Sequence, residues 1–187
     1  MKRAAAIVMA AIMGIGMAGI RATSTTAAQN PQSITAYKKF LKHKKGYYKI
    51  VSVGNRNSVL LYAKERIGGM KKVTATKATV YAYRHHKVVK TGVLKSCGTA
   101  YPLARKGNYL VVQTHHTTSY LRLSSKGFRG VTYSEKLNFY TGAATFYKSN
   151  LVGSSAVKKV KISPKAGIKN LYGVNNHIRP IVFQVNK

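Results

Sequence analysis

Short apolar, β-branched runs separated by polar turns recur along most of this chain, the pattern of strands rather than of long helices. "GYYKIVSV" (46–53) and "SVLLYAK" (58–64) flank "GNRN", whose Gly54, Asn55 and Asn57 supply turn chemistry, so this stretch predicts a hairpin. The Gly68-Gly69 pair then breaks the chain, and "VTATKATVYAY" (73–83), rich in Val, Thr and Tyr, predicts one long strand. "KVVKTGVL" (87–94) is β-like, and "NYLVVQT" (108–114) pairs naturally with "SYLRL" (119–123) across "HHTT". Beyond the polar "SSKGFRG" (124–130), the segments "LNFYTGAATFY" (137–147), "SAVKKVKI" (155–162) and "IRPIVFQV" (178–185) predict further strands.

One stretch reads differently. "SITAYKKFLKHKK" (33–45) places Ile34, Tyr37, Phe40 and Leu41 at helical spacing behind Ser33 as a cap, and residues 29–33 read as a polar linker. The predicted fold class is mainly β, a small barrel or sandwich with a short N-terminal helix. "ATVY" at Ala78–Tyr81 and "ATFY" at Ala144–Tyr147, 66 residues apart, both lead into β-rich basic sequence and suggest two related β modules. The organisation expected is a signal peptide over 1–28, a helix and hairpin over 29–69, a basic β module over 70–133 and a second, diverged module over 134–187.

The signal peptide rests on Lys2 and Arg3, the apolar run from Ala4 to Ile20 and the small residues around Ala28. An uncleaved anchor is the alternative, because the run approaches the length of a membrane span. Either way the protein is expected outside the cytoplasm, secreted and at the cell wall or cell surface.

Charge changes the picture most. The chain has 33 Lys and Arg against 2 Asp and Glu, a formal net charge of +31. Removing residues 1–28 takes away Lys2, Arg3 and Arg21 and no acid, which leaves +28. A surface of one sign repels itself, so the expected partner is a polyanion. The 45% content of hydrophobic residues argues that the chain nevertheless folds. Lysines recur beside tyrosines, as in "YKKFLKHKKGYYK" and "YPLARKGNY". Lysine offers a flexible point charge, and tyrosine either fills a core or stacks on a ring. The expected binding residues are Lys71, Lys72, Lys77, Arg84, Lys87, Lys90, Lys95, Arg105, Lys106, Arg122, Lys158, Lys159 and Lys161, forming a surface rather than a pocket.

Catalytic chemistry finds little support. Paired carboxylates are needed by most glycosidases, and only Glu65 and Glu135 exist, each beside a cation and read as a surface ion pair. Cys97, the single cysteine, has basic neighbours but no Asp to orient a histidine base, and reads as incidental. His85-His86 and His115-His116 lack a carboxylate or second cysteine to complete a metal site, and read as turn residues. No enzyme activity, cofactor or metal is expected. The six histidines predict tighter polyanion binding on acidification through roughly pH 6.5.

Val80-Tyr81, Gly92-Val93-Leu94, Gly98, Tyr109–Val112 and Tyr120–Leu123 form an order similar to the cell-wall-binding surface-layer-type repeats of lactobacilli, and resemble bacterial Src-homology-like small barrels. The resemblance covers the central third of the chain. It implies a module held noncovalently on the wall by anionic polymers such as teichoic acids. Two alternatives use the same charge: a cationic antimicrobial or membrane-active protein acting on an anionic membrane surface, and an extracellular nucleic-acid binder.

Overall fold

The computed structural model describes residues 30–54, 57–68, 71–124, 127–152, 155–172 and 177–187, so the expected signal peptide lies outside the described residues. Two antiparallel sheets and two short helices make up the described residues, which are mainly β as the sequence pattern predicts. The small sheet contains β1 (Gly46–Val53), β2 (Asn57–Ala63), β3 (Lys77–Arg84) and β4 (Lys87–Lys95), and β12 (Gln184–Asn186) joins it beside β1. The large sheet contains β5 (Ala104–Lys106), β6 (Tyr109–Gln113), β7 (Thr117–Ser124), β8 (Gly127–Leu137), β9 (Ala144–Val152) and β10 (Ser155–Ile162), with β11 (Arg179–Pro180) beside β5. Neither sheet closes into a barrel.

The alternation of side chains along each strand supplies a shared core. Val51, Val53, Val59, Leu61, Val80 and Leu94 of the small sheet meet Leu110, Leu121 and Phe128 of the large one in a single buried cluster. Each such side chain stabilises the fold by roughly 1.5–3 kcal/mol relative to exposure. The C-terminal segment serves both sheets. Ile181 and Phe183 enter the core between β11 and β12, and their backbone N–H groups donate to Leu103 and Val73.

Helix α1 (Pro31–Leu41) covers part of the outer face of the small sheet. Asn30, not Ser33, is its cap: the Asn30 side chain accepts from the Gln32 N–H at 3.0 Å, and Pro31 presets the first turn. Ser33 lies buried inside that turn, donating to the Asn30 carbonyl, so the expected linker is already helix. Tyr37 and Leu41 pack on Leu60 and Tyr62, as the helical spacing predicts. Helix α2 (Pro164–Leu171) lies on the large sheet and is not predicted by the sequence pattern. Ser163 caps it and Pro164 occupies its first turn. Gly167 brings it close to the sheet, since a Cβ there would lie 2.2 Å from Phe146.

Three strand predictions need correction. Only Lys77–Arg84 of "VTATKATVYAY" is strand, because the carbonyls of Val73, Thr74 and Ala75 accept from Phe183, Ile67 and Leu103 instead of from one ladder. "LNFYTGAATFY" is the end of β8, a turn and the start of β9. "IRPIVFQV" is not one strand but holds β11 and the start of β12, which belong to different sheets, and the polar "SSKGFRG" already opens β8 at Gly127–Gly130, where Gly130 has no room for a Cβ against the Tyr120 carbonyl. The unit boundary drawn after residue 69 separates strands that share the small sheet, and the one after residue 133 lies inside β8. "ATVY" lies in β3 and "ATFY" opens β9, each strand lying next to an edge strand of its sheet.

Candidate polyanion-binding site

Each helix covers only part of its sheet's outer face, and the part left open holds cations. On the small sheet, β3 turns Lys77, Thr79 and Tyr81 outward while Ala78, Val80 and Ala82 face the core. Helix α1 takes up Leu60 and packs against Tyr81 and Tyr83. Beside it lies a cleft of about 500 Å³ lined by Lys44, Lys64, Arg66, Lys77 and Lys90, with Tyr62, Tyr81 and the acid Glu65 also in its lining. Lys44 is held over the Phe40 ring, its Nζ 4.7 Å from the centroid. Lys77 stands directly opposite Lys95 across the β3–β4 ladder. Like charges so placed destabilise a sheet.

The large sheet has a more apolar counterpart of about 400 Å³. Tyr109, Tyr120 and Tyr133 project from adjacent strands β6, β7 and β8, with Lys106, Arg122 and Asn170 of α2 around them. The tyrosines meet edge to face, Tyr109 to Tyr120 at 6.4 Å and Tyr120 to Tyr133 at 6.2 Å. The Arg122 guanidinium sits 4.0 Å from the Tyr109 ring centre, and Lys106 Nζ lies 5.6 Å from that of Tyr120. The Tyr120 hydroxyl donates to the Asn170 carbonyl at 3.3 Å, which ties α2 to the pocket floor. Burial, with Tyr133 nearby, pushes the Tyr120 hydroxyl above its ordinary pKa, so it stays a neutral donor at neutral pH.

The expected surface is therefore partly gathered into two depressions. Lys77 and Lys90 line the cleft, and Lys106 and Arg122 line the pocket. Lys71, Lys72, Lys87, Lys95 and Arg105 are exposed outside both, and Lys158, Lys159 and Lys161 are exposed along the edge strand β10. Arg84 serves the fold instead, because its guanidinium donates to the Ser124 carbonyl and links the end of β3 to the end of β7. Lys64, Arg66, Asn170 and Tyr133 line the depressions without being singled out by the sequence pattern, and Lys44, Tyr109 and Tyr120 stand in its lysine–tyrosine or resemblance stretches without being named as binding residues. A signal for Tyr120 exists, because Tyr120 and Arg122 at i and i+2 must share a strand face.

The second acid departs from its expected ion pair with the adjacent Lys136. Strand alternation sends Lys136 to the other face, and Glu135 Oε1 lies 2.7 Å from His116 Nδ1 and accepts from the Tyr172 hydroxyl. Its side chain is 7% exposed against 56% for His116. Burial works to raise its pKa, but the hydrogen bonds from Tyr172 and His116 and the His116 charge outweigh it, so Glu135 titrates below its ordinary value. His85 and His86 form the β3–β4 turn, and His115 and His116 lie between β6 and β7. Cys97 is partly buried after β4, its N–H donating to the Gln113 carbonyl.

No protein-family model, curated protein or solved structure matches this chain.

Proposed function

We propose that this chain is a secreted, cell-wall-associated protein that holds anionic surface polymer of the teichoic-acid type noncovalently, without catalysis. One observation supports the reading: two depressions, one on each sheet, present seven cations against a single lining acid, Glu65, while Glu135 is engaged by His116 and Tyr172. The cleft suits phosphodiesters as point charges, and the pocket suits a sugar or polyol ring against tyrosine faces, with Arg122 or Lys106 beside it for phosphate. Secretion rests on the N-terminal pattern, and wall attachment on the surface-layer-type resemblance.

The tyrosine pocket favours one second reading, an extracellular single-stranded nucleic acid whose bases stack there. Binding to isolated walls, before and after removal of teichoic acid and with single-stranded DNA as competitor, separates the two. The polymer reading expects retention that disappears with the teichoic acid. Unchanged retention after its removal, or displacement by trace DNA, contradicts it.

A further inference from the structure

The turn Asn138–Ala143 between β8 and β9 holds the two most exposed aromatic side chains named among the described residues, Phe139 at 94% and Tyr140 at 100%. Neither ring contributes to the core, and Leu137 beside them is also exposed. The turn is tightly built nonetheless. The Asn138 side chain accepts from the N–H groups of Tyr140 and Thr141 at 3.0 and 3.3 Å, and its backbone exchanges hydrogen bonds with Ala143 and Gly142. Gly142 takes the positive φ of +67° that closes the loop. Two rings are thus held out into water on a preformed support, so seating them in a partner orders little further backbone.

Behind the tip lies a single-sign face. Lys136 stands opposite Thr145, Lys161 opposite Tyr147 and Lys159 opposite Ser149, so strand alternation places all three lysines on the same side of the sheet. Lys159 Nζ lies 4.0 Å from the Tyr147 ring centre, which keeps that charge next to the hairpin. Glu135, the acid on the same strand, points to the opposite face and is held there by His116 and Tyr172.

We propose that this hairpin tip is a membrane contact, seating Phe139 and Tyr140 in the headgroup region of an anionic lipid bilayer while the lysines behind it engage the lipid phosphates. Aromatic rings favour that region because it takes an apolar body and a polar edge together. A basic patch alone gives only salt-sensitive attraction to the surface, whereas inserted rings add contact that salt does not screen. The contact is peripheral and reversible, and it is independent of the polymer reading.

The chain contains no tryptophan, so Phe139→Trp in the full-length secreted protein is an unambiguous reporter. Vesicles of phosphatidylcholine alone are compared with vesicles containing a minority of phosphatidylglycerol. The expected result is a blue shift of Trp emission, with quenching by brominated acyl chains, on the phosphatidylglycerol vesicles only. Phe139→Ser with Tyr140→Ser should weaken vesicle binding on the order of tenfold or more while melting temperature and polymer binding stay unchanged. Unchanged emission on vesicles that bind the protein, or undiminished binding by the double variant, means attachment by charge alone and overturns the proposal. Absence of binding to phosphatidylglycerol vesicles overturns it too, as does a concentration-dependent emission shift without vesicles, which assigns the tip to a second copy.

Discussion

The cleft on the small sheet and the pocket on the large sheet arise in the same way and differ in what lines them. In each, a short helix lies on the outer face of a sheet and leaves part of that face open. Helix α1 spans 11 residues and buries Tyr37 and Leu60 completely, and the cleft beside it gathers Lys44, Lys64, Arg66, Lys77 and Lys90 together with Glu65. Helix α2 spans 8 residues and leaves three tyrosines standing between Lys106 and Arg122. Tyrosines line both depressions, but Tyr62 and Tyr81 share the cleft wall with five cations, whereas Tyr109, Tyr120 and Tyr133 form one cluster across three strands in the pocket. The Tyr37 hydroxyl donates to the Ser58 carbonyl at 2.8 Å, and burial pushes its pKa up to about 12. On the proposed reading the cleft takes phosphates as charges and the pocket also takes a ring.

The largest effect expected is structural. Leu60→Ala removes the seat of α1 and should cost about 2–5 kcal/mol in denaturant unfolding, of the order seen for buried leucines. It should disturb the cleft and leave the pocket's affinity for ring-bearing ligands intact once the protein is folded. Next comes the pocket. Tyr109→Ala should weaken binding of ring-bearing phosphate polymers by about 1–3 kcal/mol, the range for aromatic stacking, with inorganic polyphosphate unaffected in the same calorimetric titration. Equal loss for both polymers would erase the distinction between the two regions.

Lys77→Gln with Lys90→Gln tests the cleft from the other side. Affinity should fall alike for every polyanion, and the slope of log affinity against log salt should shrink by about 0.7–0.9 for each phosphate that is no longer neutralised. The smallest effect concerns Glu135. Its folded pKa lies below the ordinary value of 4.5, so its stabilisation is present above that value and is lost as pH falls through the ordinary and then the folded value. Glu135→Gln should therefore be less stable than the wild type at neutral pH by under about 1 kcal/mol. Thermal melts should show the gap closing in acid.

Local pattern makes part of this legible in advance. The spacing of Tyr37 and Leu41 announces α1, and the β-branched runs announce most strands, because burial on one face imposes a period that the residues must obey. Helix α2 escapes because eight residues with Ile168 exposed and Leu171 buried carry almost no apolar period, leaving only Ser163-Pro164 as a sign. The start of β8 escapes because 124–130 reads as a polar stretch, whereas Gly130 is required there by the Tyr120 backbone. That lysines dominate the surface charge is readable from the missing acids alone. Their division into a cleft and a pocket is not, since Lys44 and Asn170 reach those places from other elements. Nor can composition show that Arg84 braces β7 while Arg122 leans on a tyrosine.

Retention on teichoic-acid-bearing walls, titrated with salt for the wild type and for a variant combining Lys77→Gln, Lys90→Gln, Tyr109→Ala and Arg122→Gln, puts both regions to the test together. Wild-type retention should fall linearly in log affinity with log salt, and the combined variant should bind weakly with a shallower slope while its melting temperature is preserved. Equal retention of the two proteins across the salt range, or wild-type retention indifferent to salt, would show that neither depression holds the polymer.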